Sequence, residues 1–167
     1  MNDKCSYDIH TIAAASEPEV RRLGAQVDLF WEKESRIYLQ RGLGQAQTLL
    51  DCGCGTGHFV NRLASMFPAL NITAIDIDPY LLKIAEETTK AHREQISILA
   101  GSICSIPLPE NSFDLVISRL VLEHLPDPLA AHEGGTRPSR GPPGLGEMAD
   151  PARAVGLLRG HPPPARR

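Results

Sequence analysis

The stretch Thr48-Leu49-Leu50-Asp51-Cys52-Gly53-Cys54-Gly55-Thr56-Gly57-His58-Phe59-Val60 constrains the fold of this chain more than any other. It opens as a short apolar strand and closes as a helix, with Phe59, Val60, Leu63, Ala64 and Phe67 along one side. Between them lies Asp51-x-Gly53-x-Gly55-x-Gly57. A strand that runs through glycines into a helix makes a corner where the backbone turns tightly. A ligand approaches it closely, because no Cβ stands in the way. The helix start adds unpaired N–H groups and a partial positive charge. Dinucleotides use such a corner with the spacing Gly-x-Gly-x-x-Gly, which sets a pyrophosphate on the helix start. Here the glycines alternate and an acid precedes them. The Asp51 carboxylate would repel a pyrophosphate and would suit an ammonium or a sulfonium group. The plain alternative is a tight strand–helix turn with no ligand.

Asp51 with Gly53, Gly55 and Gly57 resembles the first motif of the class I S-adenosylmethionine-dependent methyltransferases. The resemblance implies that these four residues line the methionine end of that cofactor. A second strand, Asn71-Ile72-Thr73-Ala74-Ile75-Asp76-Ile77-Asp78, ends in two acids. Asp78 before Pro79 is a helix N-cap with proline in the first turn. That account does not cover Asp76. An acid ending the second strand, roughly 20 residues past the glycine turn, accepts hydrogen bonds from ribose hydroxyls. Asp76 therefore supports an adenosine ligand without choosing between a nicotinamide dinucleotide and S-adenosylmethionine. The resemblance implies that Ile77 lies against the adenine ring.

A third strand spans residues 95–100, and the loop after it carries Ser102 and Ile103. In the family this loop holds the adenine edge through an acid and the next backbone N–H. Ser102 stands where the acid would be, a weaker contact, and Ile103 would supply the N–H. A fourth strand, Phe113-Asp114-Leu115-Val116-Ile117-Ser118, is nearly all apolar, as a strand covered on both faces should be. The run from Pro107-Leu108-Pro109 through Phe113-Asp114 to Glu123-His124-Leu125 is similar to the type-11 methyltransferases, which include small-molecule enzymes. On the same resemblance Arg119 joins the cofactor-lining residues. His124 invites a role as general base; capping or packing beyond the fourth strand is the better reading. No catalytic residue is named.

Before the corner, Val20, Leu23, Val27, Phe30, Trp31 and Tyr38 recur at helical spacing and predict a helix over residues 17–41, closed by Gly42-Leu43-Gly44. Trp31 and Tyr38 read as packing residues. Arg36 precedes Asp51 by 15 residues. The family resemblance implies a helix arginine here that meets the cofactor carboxylate; surface solvation is the competing account.

Charge separates two regions. Residues 1–131 carry −6 and residues 132–167 carry +3, within a total of −3. An acidic main domain argues against nucleic acid as its partner. No apolar run approaches the ~20 residues of a membrane helix, and the polar start is not a signal peptide, so a cytoplasmic location is expected. Cys52 and Cys54 are spaced C-x-C, whereas zinc sites favour wider spacing, so no metal is expected.

The resemblance covers residues 17–131, after an N-terminal extension of residues 1–16. From His132 to Arg167 the chain holds 7 Gly and 7 Pro and no Ile, Phe, Tyr or Trp. That composition predicts a disordered tail. The change at Ala131/His132 reads as a frameshift or aberrant splice, the alternative being a genuine basic, proline-rich tail. Codons for His-Glu-Gly-Gly-Thr-Arg-Pro, taken one base later, can spell the family-like Met-Lys-Glu-Val-Arg-Val-Leu. Strands of the family fold run 3-2-1-4-5-7-6, so the fourth strand is expected to be an open edge.

The expected fold is α/β, a Rossmann-like parallel sheet with helices on both faces, incomplete in its C-terminal half. The expected activity is S-adenosylmethionine-dependent methyl transfer to a small molecule, impaired or absent in this chain. The alternatives are a nicotinamide-dependent oxidoreductase and a non-catalytic fragment that binds cofactor.

Overall fold

A computed structural model describes residues 17–103, 105–109, 112–121 and 155–159. Helix α1 spans Glu17–Gln40. Gly42, at φ 102°, breaks it before the 3-10 turn Leu43–Gln45. Strands β1 (Thr48–Cys52), β2 (Asn71–Asp76), β3 (Ile96–Ala100) and β4 (Leu115–Arg119) lie parallel in the order β3-β2-β1-β4. Helix α2 (His58–Met66) joins β1 to β2, and α3 (Pro79–Thr89) with the 3-10 turn Lys90–His92 joins β2 to β3. Asp78 caps α3 as its position predicts, accepting a hydrogen bond from the Tyr80 N–H at 2.8 Å.

Strand alternation sorts the side chains. Leu49, Ile72, Ala74 and Ile117 face one core with Trp31, Phe59, Leu63 and Leu82 from the three helices. Leu50, Cys52, Ile75 and Val116 face the other way. Among the described residues that second face is covered by Ile103, Ile106, Leu108 and Phe113 of the β3–β4 connection. The expectation of helices there falls outside the described residues. Burying each large apolar side chain stabilises the fold by about 1.5–3 kcal/mol. Asp114 pins the register of β1 on β4: its Oδ2 accepts from the N–H groups of Gln47 and Thr48 and from the Thr48 hydroxyl, at 2.9, 3.0 and 3.1 Å.

The far side of β4 departs from expectation. Strand β5 (Val155–Arg159) pairs antiparallel with β4, so β4 is not an open edge along these residues. An uncovered apolar strand presents a row of free N–H and C=O groups. Val155, Leu157 and Leu158 belong to the one apolar stretch that the tail offers to pair with it. The expectations for residues 1–16, for Glu123-His124 and for the rest of the tail lie outside the described residues.

Candidate functional site

Three charged side chains reach the carboxyl ends of the strands on the helix-covered face. By alternation Asp51 follows Leu49, Asp76 follows Ala74, and Arg119 follows Ile117, so all three leave the sheet on the same side. The glycine corner wraps around Asp76. The Gly55 N–H donates to Asp76 Oδ2 at 2.8 Å, and the Asp78 N–H donates to Oδ1 at 3.0 Å. The carbonyl of Ile75 accepts from Gly53 and Cys54, at 2.8 and 3.0 Å, and that of Cys54 accepts from Gly57 at 3.0 Å. The N–H groups of residues 53, 54, 55 and 57 are thus consumed, the first three by the end of β2 and the last inside the loop. A pyrophosphate cradle needs such groups free.

The three glycines do different work. All have positive φ: 82° at Gly53, 53° at Gly55 and 76° at Gly57. A Cβ on Gly57 would stand 2.9 Å from the Ala85 Cα of α3. One on Gly53 would stand 2.2 Å from Val121 Cγ2. One on Gly55 would meet nothing within 4 Å. Of the three, Gly55 is the one with open space where a Cβ would stand. Gly53 makes room for Val121, and Gly57 lets α2 and α3 pack.

Asp51 is 2% exposed, and its Oδ1 has no hydrogen-bond partner. Burial, against a partial counter-pull from Arg119, pushes its carboxyl up to about 7. Burial raises Asp76 as well, opposed by the N–H groups of Asp78 and Gly55. Arg119 donates from Nε to Glu34 Oε2 at 2.8 Å, and both side chains are largely buried. Its guanidinium lies 5.0 Å above the Phe59 ring, while its Nη2 is buried without a partner. The Tyr38 hydroxyl is buried beside Glu34, and burial, with the Glu34 carboxylate, drives its pKa strongly upward. Burial also raises the Cys52 thiol to about 12, so it is no nucleophile at neutral pH. No cluster suited to a metal occurs among the described residues.

Arg36 is not part of this group. It is exposed and pairs with Glu32 one helical turn earlier, at 2.6 Å. Two residues along a helix is about 200° of rotation, so Arg36 faces away when Glu34 and Tyr38 face inward. Ile77 is 42% exposed beside Asp76, and Ser102 and Ile103 follow β3 at the same strand ends. Glu34, Tyr38 and Val121 were not legible as site residues. Glu34 and Tyr38 are four apart on α1, a spacing that marks a shared face, but only the packing of α1 shows what that face meets.

Residues 50–137 match the family described as a methyltransferase domain. A malonyl-[acyl-carrier protein] O-methyltransferase of Paenibacillus is 33% identical over 91 residues, covering 53% of this chain and 33% of that protein. A demethylmenaquinone methyltransferase of Staphylococcus aureus is 31% identical over 102 residues, covering 60% and 41%. The chain thus spans about a third to two-fifths of the length of these curated relatives. Among solved structures, a SAM-dependent methyltransferase from Aquifex aeolicus superposes with a TM-score of 0.61 at 24% identity, covering 74% of this chain and 68% of that one. That likeness is one of fold.

Proposed function

The chain belongs to the class I S-adenosylmethionine-dependent methyltransferase family, and on that premise we propose that its glycine corner binds S-adenosylmethionine for methyl transfer to a small-molecule nucleophile. The observation that carries this reading is Asp51: a buried carboxylate whose Oδ1 lacks a donor. Leaving such a group unsatisfied costs about 1–3 kcal/mol or more. An ammonium or sulfonium group relieves that cost, and a pyrophosphate aggravates it. The residues fit the cofactor. Asp51 would take the amino group, Asp76 the ribose hydroxyls with its remaining lone pairs, and Gly55 the close approach. Ile77 would cover the adenine, with Ser102 and the Ile103 N–H at its edge.

The cofactor supplies an electrophilic methyl group. The chain's part is to hold that group in line with the acceptor and to keep water away, a proximity effect that needs no single indispensable side chain. The acidic domain supports a small-molecule acceptor over nucleic acid. The buried thiols Cys52 and Cys54 support a reducing, cytoplasmic setting. Residues 132–167 lack the apolar pattern of the family's later strands, so transfer by these 167 residues on their own is expected to be weak or absent. Calorimetric titration with S-adenosylmethionine and with NAD tests the reading. Binding of the first alone is expected; binding of NAD alone would replace it with the oxidoreductase reading.

A further inference from the structure

We propose that His58 is an acid-sensitive latch between α1 and the glycine corner: neutral, it seats α1; protonated, it lets α1 lift from the sheet. The inference stands apart from the cofactor reading, because it concerns the seating of a helix and needs no ligand. His58 opens α2 and touches a neighbour on each side. Its Nδ1 lies 2.9 Å from the hydroxyl of Thr56, a residue 3% exposed inside the corner. The ring also lies against Gly24 of α1, where a Cβ would stand 2.8 Å from Cδ2 and 2.9 Å from Nε2. That contact accounts for a glycine inside a long helix, where alanine would favour the helix. Four residues beyond Gly24, Asp28 binds Arg62 of α2. The Arg62 guanidinium lies 5.0 Å over the ring of Trp31, which packs in turn on Phe59. α1 also carries Glu34, the partner of Arg119, so its seat bears on the charges at the strand ends.

Each neighbour bears on whether His58 takes a proton. A neutral ring can accept the Thr56 hydroxyl at Nδ1, whereas an imidazolium carries only donors. Positive charge at the start of α2 opposes the helix dipole. From α1, Asp28 favours the proton; Arg62, one turn on along α2, is already bound to Asp28. α3 meets the corner through Ala85, which is uncharged. Burial outweighs Asp28 and holds the histidine below its ordinary 6.5. A group of that kind takes up its proton more readily once α1 has lifted. Seating of α1 is therefore complete above about pH 6.5 and is lost as pH falls from there through the lower folded value.

Trp31 is the chain's one tryptophan and is 7% exposed, so its fluorescence reports the seat of α1. Acrylamide quenching of the full chain should rise at least about twofold from pH 7.5 to pH 5.5, the span over which a histidine titrates. His58→Gln keeps a side chain able to bond Thr56 and cannot be protonated in this range, so its quenching should stay flat. Gly24→Ala leaves His58 in place and pushes α1 off it, so quenching should already be high at pH 7.5. Circular dichroism confirms that each variant is folded, and Gly24→Ala decides the matter should His58→Gln fail to fold. Wild-type quenching that is flat with pH, a His58→Gln variant that rises as wild type does, or a Gly24→Ala variant quenched no more than wild type at pH 7.5 overturns the inference. None of these outcomes bears on the cofactor reading, which the calorimetric titrations decide.

Discussion

Two carboxylates, one strand apart, show how differently a sheet edge can treat an acid. Asp76 at the end of β2 is embraced by the loop it faces, with N–H donors on both oxygens. Asp51 at the end of β1 is more deeply buried, yet one of its oxygens has no donor. The first organises the corner whether or not a ligand arrives. The second is a local debt that a cationic group can settle. Position alone does not separate them, since both end parallel strands on the same face. The difference comes from the chain that follows. After Asp76 the backbone turns its N–H groups back onto the carboxylate, whereas after Asp51 those groups go to the Ile75 carbonyl.

The largest expected effect comes from Asp51→Asn. S-adenosylmethionine affinity should fall about a hundredfold, as for one partner removed from a buried charge pair. Stability should respond in the opposite sense. A carboxyl whose folded pKa lies near 7, above its ordinary 3.8, is protonated more readily folded than unfolded. Stability is therefore lost as pH rises between those values, by roughly 4 kcal/mol in all. Asn at this position should remove that decline, so the variant is the more stable of the two at pH 8. Urea titrations of both proteins from pH 4 to pH 8 check this; a gap that fails to widen with pH would place the burden on another group.

The same linkage acts on binding. An ammonium requires the ionised carboxylate, so affinity should rise about tenfold from pH 6 to pH 8, as the fraction of Asp51 ionised does. Calorimetry in buffers of different ionisation enthalpy should detect a proton released at the lower pH. Affinity that is flat with pH would mean that Asp51 and Asp76 are alike after all.

Asp76→Ala should fail in both ways at once. It strips the acceptors from the Gly55 and Asp78 N–H groups, at about 1–3 kcal/mol each. It should also weaken cofactor binding by at least about tenfold. Cofactor affinity unchanged in a folded variant would remove the ribose assignment.

The smallest effects should come from the glycines. Gly57→Ala combines positive φ with a backbone clash at α3 and should destabilise by about 2 kcal/mol or more. Gly55→Ala meets no neighbour and should cost about 1 kcal/mol of backbone strain, yet impair binding. Thermal melts with and without S-adenosylmethionine separate the two. Equal loss of binding in both variants would restore all three glycines to the ligand.

The strand–glycine–helix corner, the acids ending two strands and the Asp78 cap were legible in the sequence. Each rests on local chemistry: glycine at positive φ, an oxygen over a helix start, apolar residues at a fixed period. Asp51 and Asp76 were recognisable as candidates for the same reason. The order of the sheet and the identity of the arginine at its edge were not local matters. The helical period shows that Arg36 and Glu34 lie on opposite sides of α1, but only packing against Phe59 decides which side turns inward. The tail shows the same limit. Composition sees only glycine and proline there, whereas the pairing of β5 with β4 depends on the row of backbone groups that β4 presents. An interaction that needs a partner far along the chain cannot be read from either segment alone. Tertiary structure assigned Glu34 to Arg119 and left the Asp51 Oδ1 buried without a donor.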